Sequence, residues 1–327
     1  MKLKMLLQPL LLCLAGLAGL LTAVTLSAQT YPSQPIKLVV PFAAGTGSEI
    51  GLRLLIERLS LALKQPVVIE NRPGGGSTLG TDVVAKAAPD GYTLLASYNS
   101  SIAPGPLMYS KIGYDPIKDF SHIALIGVYP QYIIVRPDFP TKTIQEFLAL
   151  VRAKPGSINY ASAGVGTSGF LAAELLKQTL NLNMVHVPYK GPAPAITDLL
   201  GGRLDMVLTA SAAELVRAGK VRVLAVTSEK RVPIYADVPT LDEIVPKVAA
   251  VSWVGISAPA ATPKAITARL EKEILGILNA PEMQARLAEP AVGLSPLTLG
   301  SDKFLEFIQK EIRTWTPVIK AGNIRVE

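Results

Sequence analysis

Two glycine-rich stretches carry the residue types best suited to holding a small anion: Pro41-Phe42-Ala43-Ala44-Gly45-Thr46-Gly47-Ser48 and Ser162-Ala163-Gly164-Val165-Gly166-Thr167-Ser168-Gly169. Glycine lets backbone approach a ligand closely and take the positive φ used by anion-cradling loops. Thr46, Ser48, Thr167 and Ser168 add hydroxyls. Each stretch follows a short β-rich run and precedes a helical one, so free N–H groups at a helix start would face the loop. The same composition also suits an ordinary strand-to-helix turn with a Ser or Thr cap.

Other chemistries find less support. Gly164-x-Gly166-x-x-Gly169 matches the dinucleotide fingerprint, but the next strand ends in Pro188-Tyr189-Lys190, with no acidic residue to hold a ribose hydroxyl. There are two histidines, His122 and His186, and no Gly-x-Ser-x-Gly elbow or His-Glu-x-x-His helix. No catalytic residue, metal site or cofactor is therefore expected, and each histidine reads as a hydrogen-bonded structural residue.

The elements that must position the loops alternate along the chain. Strand 36–40, helix 49–63, strand 67–69, helix 79–87 and strand 92–96 make a βαβαβ unit. Leu52, Leu55, Ile56, Leu59 and Leu63 give the first helix one buried face. A second unit runs through strand 132–135, helix 144–152, strand 158–161, helix 170–180, strand 184–187, helix 193–200 and strands 204–208 and 221–226. Strand 253–258 and helices 263–278 and 302–319 follow and are expected to pack on the first unit. The expected architecture is thus α/β, two lobes with parallel-type sheets, like a type II periplasmic binding protein or Venus flytrap. The lobes are expected over 29–128 plus 251–327 and over 129–250, with two crossings forming a two-strand hinge. Ser97 and Ser100, just beyond strand 92–96, are placed to reach a ligand in the cleft, although a solvated loop explains them equally.

Lys2 and Lys4 precede an apolar run from Met5 to Leu21 that ends in small residues before Gln29, the layout of a secretory signal over 1–28. A retained anchor is the alternative, and Gly16 and Gly19 favour cleavage. Export to the periplasm is expected. Cys13 lies inside that run, leaving the mature chain without cysteine, as suits a protein large enough to rely on its core. Removing Lys2 and Lys4 lowers the formal charge from +7 to +5. Scattered basic residues and only 6% aromatics argue against a nucleic-acid partner.

Read with their flanks, the loops resemble those of the substrate-binding proteins of tripartite tricarboxylate transporters, the Bordetella uptake gene family. The resemblance covers essentially the whole mature chain and rests on ordered blocks: "YPSQPIKLVVPFAAGTG", "VVIENRPGGGSTLGTDVVAKAAPDGYTLL", "YDPIKDF", "INYASAGVGTS", "VHVPYKGPAPAITDLLGGRLD", "GKVRVLAVTSEKR", "VPTLDE" and "SWVGISAPAATP". It implies a monomeric periplasmic receptor that closes on a carboxylate and delivers it to a two-component integral membrane permease. Presentation of the liganded protein to a sensor kinase is the alternative role, and a secreted enzyme acting on a carboxylate is a third. It also implies that Phe42, Ala43, Ala44, Gly45 and Thr46 in one lobe, and Ser162, Ala163, Gly164, Val165, Gly166, Thr167 and Ser168 in the other, supply most ligand hydrogen bonds. Thr209, at a strand end, joins that set.

Three positions depart from the family pattern. Glu49 follows Gly47-Ser48 where the usual motif places an aspartate, with Arg53 four residues on and within pairing reach on a helix. Phe170 stands where a histidine is common, and Thr209 where an acid is frequent. Without that acid a ligand ammonium has no evident partner, so the expected ligand is a carboxylate lacking an amino group, either aromatic or a short dicarboxylate. Phe170 would make the cleft less polar if it faces it, or fill space if turned into the core.

Overall fold

The chain enters its first sheet as Ile36–Val40 (β1), whose IKLVV sequence is buried at four of five positions, the pattern of a strand covered on both faces. The computed structural model describes residues 31–42, 47–189, 191–289 and 292–326, and Gln34 onward forms one compact unit. The expected signal segment lies outside the described residues.

Helix α1 (Gly47–Leu63) buries Leu52, Leu55, Ile56, Leu59 and Leu63, the stripe expected from their spacing. Then come β2 (Val67–Asn71), α2 (Thr78–Ala85), β3 (Thr93–Tyr98), the single turn α3 (Asn99–Ile102) and β4 (Phe120–Pro130). The second sheet is built from β5 (Tyr132–Val135), β6 (Asn159–Ser162), β7 (Val185–Pro188), β8 (Met206–Thr209) and β9 (Arg222–Val226). Between them lie α4 (Ile144–Ala153), α5 (Ser168–Leu180), α6 (Pro192–Leu200), α7 (Ala213–Arg217) and α8 (Leu241–Ile244). The chain returns through β10 (Val251–Pro259), α9 (Lys264–Leu278), α10 (Pro281–Leu287), β11 (Ser295–Gly300) and α11 (Ser301–Ala321).

The first sheet has the order β11-β4-β10-β3-β1-β2 and the second β7-β6-β8-β5-β9. The expected parallel sheets are in fact mixed. β1 pairs parallel with β2 and β3, and β6 with β7 and β8. The strands that carry the chain between sheets break the pattern: β10 is antiparallel to β3 and β4, and β5 to β8 and β9. A strand that enters a sheet from the other lobe has no crossover helix to return it to the same end, so nothing forces parallel pairing. β4 and β11 were not expected as strands. β4 is buried at almost every position, giving no alternation to read, while β11 is an edge strand containing Pro296.

The crossings are hydrogen-bonded to each other. Between β4 and β5, the Gln131 N–H donates to Thr227 Oγ1 at 2.9 Å and its carbonyl accepts from the Thr227 N–H at 2.9 Å; the Ala250 N–H donates to the Thr227 carbonyl at 2.8 Å. The last helix departs from expectation. Phe304 and Ile308 on α11 pack in the first sheet's core, but Trp315, Val318 and Ile319 join the core around β6 and α5, so the helix spans both lobes. Gln178 on α5 donates to the Val318 carbonyl at 3.0 Å.

Candidate binding site

Loops open at the carboxyl ends of β1, β3, β6 and β8, where a ligand of an α/β sheet sits. In the first, the Phe42 carbonyl accepts from Asn71 Nδ2 at 3.0 Å, and its ring stands edge-on to Tyr98 at 4.8 Å between centroids. Ala43, Ala44, Gly45 and Thr46 lie outside the described residues. Beyond them Glu49 is buried and paired with Arg53 one helical turn on, the pairing that their spacing suggested.

The two serines after β3 go different ways. Ser97 is fully buried, and its hydroxyl sits 2.6 Å from Ser257 Oγ, inside the core. Ser100 turns toward the loops and sits 2.8 Å from the hydroxyl of Ser77, a residue held at φ 83° after three consecutive positive-φ glycines, Gly74 to Gly76.

The second loop is tightly wound. Gly164 (φ 125°) and Gly166 (φ 83°) take backbone conformations that L side chains avoid. Thr167 closes the turn: its hydroxyl donates to the Gly164 carbonyl at 2.7 Å, its N–H to the same oxygen at 3.3 Å. A Cβ on Gly169 would stand 2.7 Å from the Leu208 carbonyl, so this glycine serves close packing of α5 on β8. Phe170 is buried in the core, its ring tilted against that of His186 with centroids 4.8 Å apart. At the end of β8 the Thr209 hydroxyl accepts from the Ser211 N–H at 3.0 Å, bracing its own turn.

Ser168, the first residue of α5, is where the elements converge. Its hydroxyl receives Asn99 Nδ2 from beyond β3 at 2.8 Å and the Ser252 hydroxyl from β10 at 2.8 Å. Gln131, at the other crossing, reaches Ser252 at 3.4 Å. One residue of the second loop thus contacts the first lobe and is linked to both crossings. Asn99, Ser77, Ser252 and Gln131 were absent from the expected site. Asn99 had a signal, since it lies between Ser97 and Ser100; the others are brought in only by tertiary structure.

Two serine–histidine contacts look catalytic on paper. Ser162 Oγ lies 2.9 Å from His186 Nε2, and Ser257 Oγ 2.9 Å from His122 Nδ1. Both serines are fully buried, so neither oxygen can meet a substrate. Burial pushes the His122 imidazole down to about 4 and lowers His186 as well, keeping both neutral. Among the described residues no group of three His, Cys, Asp or Glu is placed to hold a metal ion.

Hydrogen-bonding groups from the loops of both sheets and from the crossing strand thus converge around Ser168. Residues 52–324 match the family described as "Tripartite tricarboxylate transporter family receptor". The chain belongs to this receptor family. Its fold matches that of the periplasmic binding protein BugD, 34% identical, with a TM-score of 0.74 over 91% of this chain and 100% of that one. An R. palustris protein solved with adipate is 31% identical, with a TM-score of 0.79, covering 90% of this receptor and 99% of that chain. MatC from Rhodopseudomonas palustris, with bound malate, is 30% identical, with a TM-score of 0.73 over 88% and 100%. Family members are solute-binding receptors rather than enzymes, and the two R. palustris relatives were solved with the carboxylates adipate and malate.

The receptor has a concavity of about 1140 Å³ on the β11 side of the crossing strands, lined by Tyr132, Val251, Leu299, Phe307 and Glu311 among others. Glu311 is half-buried there and accepts from Trp315 Nε1 at 3.2 Å. Burial raises its carboxyl to about 7, the indole N–H groups of Trp315 and Trp253 pulling it down by less. The glycine-rich loops lie on the opposite side of the crossings, beyond β10 in one sheet and β5 in the other.

Proposed function

We propose that this receptor is exported to the periplasm, captures a small carboxylate between lobes 29–128 plus 251–327 and 129–250, and hands it to the integral membrane permease of a tripartite tricarboxylate-type transporter. The observation that carries the reading is the convergence on Ser168, which puts the second loop within hydrogen-bond reach of Asn99 and the crossing strand. In this reading the backbone N–H groups of Ala163, Val165 and Gly166, with the hydroxyls of Ser100 and Ser168, and the N–H groups of residues 42–46, take the carboxylate oxygens, while the Gly164 and Thr167 donors hold the loop's own shape. Charge-assisted hydrogen bonds contribute about 1.5–3 kcal/mol each before ordering costs, so a few of them suffice for a micromolar Kd.

The ligand is a carboxylate without an amino group. The helix starts and loop amides suit an anion, while Thr209 offers no negative charge to an ammonium and spends its hydroxyl oxygen on Ser211. The relatives' adipate and malate are both of this kind. Calorimetric titration of the mature chain with adipate, malate and succinate against aspartate and glutamate tests it. Binding of at least one amine-free acid, with the amino acids at least tenfold weaker, is expected. Tight binding of an amino acid alone would overturn it.

A further inference from the structure

We propose that His186 positions the second glycine-rich loop through Ser162 and so sets how tightly that loop holds a carboxylate, an inference that rests on the function proposed above. His186 sits on the edge strand β7, in register with Tyr160 of β6. Its ring is held between the rings of Tyr160 and Phe170, with centroids 4.9 and 4.8 Å away. Tyr160 is fixed in turn, donating its hydroxyl to Glu174 at 2.8 Å, while Lys177 pairs with Glu174 at 2.7 Å and lies 5.6 Å over the tyrosine ring. An imidazole clamped in this way presents Nε2 in one direction, toward Ser162.

Ser162 is the last residue of β6, and its hydroxyl turns the strand into the loop. It accepts from the Gly164 N–H at 3.2 Å and lies 3.2 Å from the Gly164 carbonyl and 2.9 Å from His186 Nε2. A hydroxyl has one proton to give. The Gly164 carbonyl already receives both the hydroxyl and the N–H of Thr167, whereas His186 Nε2 is nearer and has no other partner among the described residues. The proton therefore goes to His186, which is neutral and carries its own proton on Nδ1. That leaves the serine's lone pairs aimed at the Gly164 N–H, fixing the peptide plane that leads into the loop and the directions of the amides after it. At Gly164 the requirement is strict, because its φ of 125° is a conformation other residues avoid.

The groups facing the ring support the neutral form. Withdrawal from water lowers the imidazole's pKa most; the Glu174 carboxylate opposes this and the Lys177 ammonium adds to it. Protonation would turn Nε2 into a donor and push the serine proton onto the Gly164 carbonyl, where two donors already sit.

The test uses the mature chain with adipate and malate as probes, read by calorimetry, and hydrogen exchange of the Gly164 amide without ligand. His186→Phe keeps an aromatic ring in the clamp and removes the acceptor; Ser162→Ala removes the link; His186→Gln places an amide oxygen near Nε2. Each of the first two should weaken the probe that binds by about tenfold, the worth of one hydrogen bond. The double variant should be no weaker than the worse single one, and His186→Gln should recover most of the loss. Protection of the Gly164 amide, taken relative to its intrinsic exchange rate at each pH, should fall in His186→Phe, and in the native chain on protonating the imidazole, but not on the same titration of His186→Gln. Binding within twofold of native in both single variants, or losses that simply add, overturns the proposal. If neither probe binds the native chain, the carboxylate reading falls, and the exchange rate decides this one alone: unchanged in His186→Phe, it is wrong. Should His186→Phe not fold, Ser162→Ala carries the same comparison.

Discussion

The two histidines make a natural experiment. Each sits on a strand, each meets a serine at 2.9 Å, and each is kept neutral by burial. Around His122 every link ends in the core. Its Nε2 lies 3.0 Å from the Pro116 carbonyl, which can only accept, so Nε2 carries the proton and Nδ1 accepts from Ser257. Ser257 then accepts from Ser97, giving a one-way chain from Ser97 through Ser257 and His122 to a backbone oxygen. Around His186 the chain ends instead at Gly164, in a loop. The same pair of residue types thus serves as a core fastener in one lobe and as a support for the ligand loop in the other, and the difference lies in what the serine touches next.

The largest expected effect separates them by pH. The folded pKa of His122 is depressed to about 4 from an ordinary 6.5, so its contribution to stability is present above 6.5 and lost as pH falls toward 4. By linkage this amounts to about 2.5 kcal/mol between pH 7 and pH 4.5. Urea unfolding of the native chain and of His122→Gln at the two pH values measures it: the variant should lose less stability on acidification by about that amount. An identical loss in both would remove His122 from the comparison.

Next comes Ser257→Ala, which strands both the Ser97 hydroxyl and His122 Nδ1 in the core. Leaving buried polar groups unpaired costs about 2 kcal/mol. The carboxylate affinity of the folded fraction should stay within twofold, in contrast to Ser162→Ala. If Ser257→Ala weakened binding as much as Ser162→Ala, the distinction between fastener and support would collapse.

A somewhat smaller effect is expected at Ser168, where the loop meets Asn99 and Ser252. Ser168→Ala should raise the Kd about tenfold, as befits the loss of a hydrogen bond that spans the lobes. X-ray scattering should show a more open native chain without ligand. An unchanged Kd and radius would mean that the convergence on Ser168 plays no part in closure.

Much of this arrangement was legible beforehand, for identifiable reasons. Helix faces such as Leu52, Leu55, Ile56, Leu59 and Leu63 declare themselves through spacing, and strand Tyr132–Val135 through its bounded apolar run. β4 did not, because a strand buried on both faces has no alternation, and the mixed direction of the sheets depends on where the chain changes lobe. Ser97 and Ser100 are three residues apart in sequence and looked alike; the strand ends between them, so that Ser97 stays in the sheet and reaches Ser257 while Ser100, in the following helical turn, reaches Ser77. Phe170 offered two rotamers' worth of meaning, and packing against His186 chose the core. His186 was legible as a hydrogen-bonded structural residue but its partner was not, since Ser162 is 24 residues away.

The smallest effect bears on how cleanly the first can be seen. Glu311 belongs to neither serine–histidine chain, and its slope runs the other way. Its folded carboxyl is raised to about 7 from 4.5, so its contribution is fully present below 4.5 and lost as pH rises through 7. Acidification from pH 7 to 4.5 therefore gains stability at Glu311 over the window in which His122 loses it, and the native chain reports only the difference. Because Glu311 is half-buried, solvent screening reduces its share to about 1 kcal/mol. Glu311→Gln keeps an oxygen to accept from Trp315 while removing the titration. It should steepen the acid loss by about 1 kcal/mol, whereas His122→Gln flattens it, and the double variant should lie between the two. A slope unaltered in Glu311→Gln would mean that the carboxyl is hydrated through the 1140 Å³ concavity and titrates normally, and the whole acid limb would then belong to the histidines.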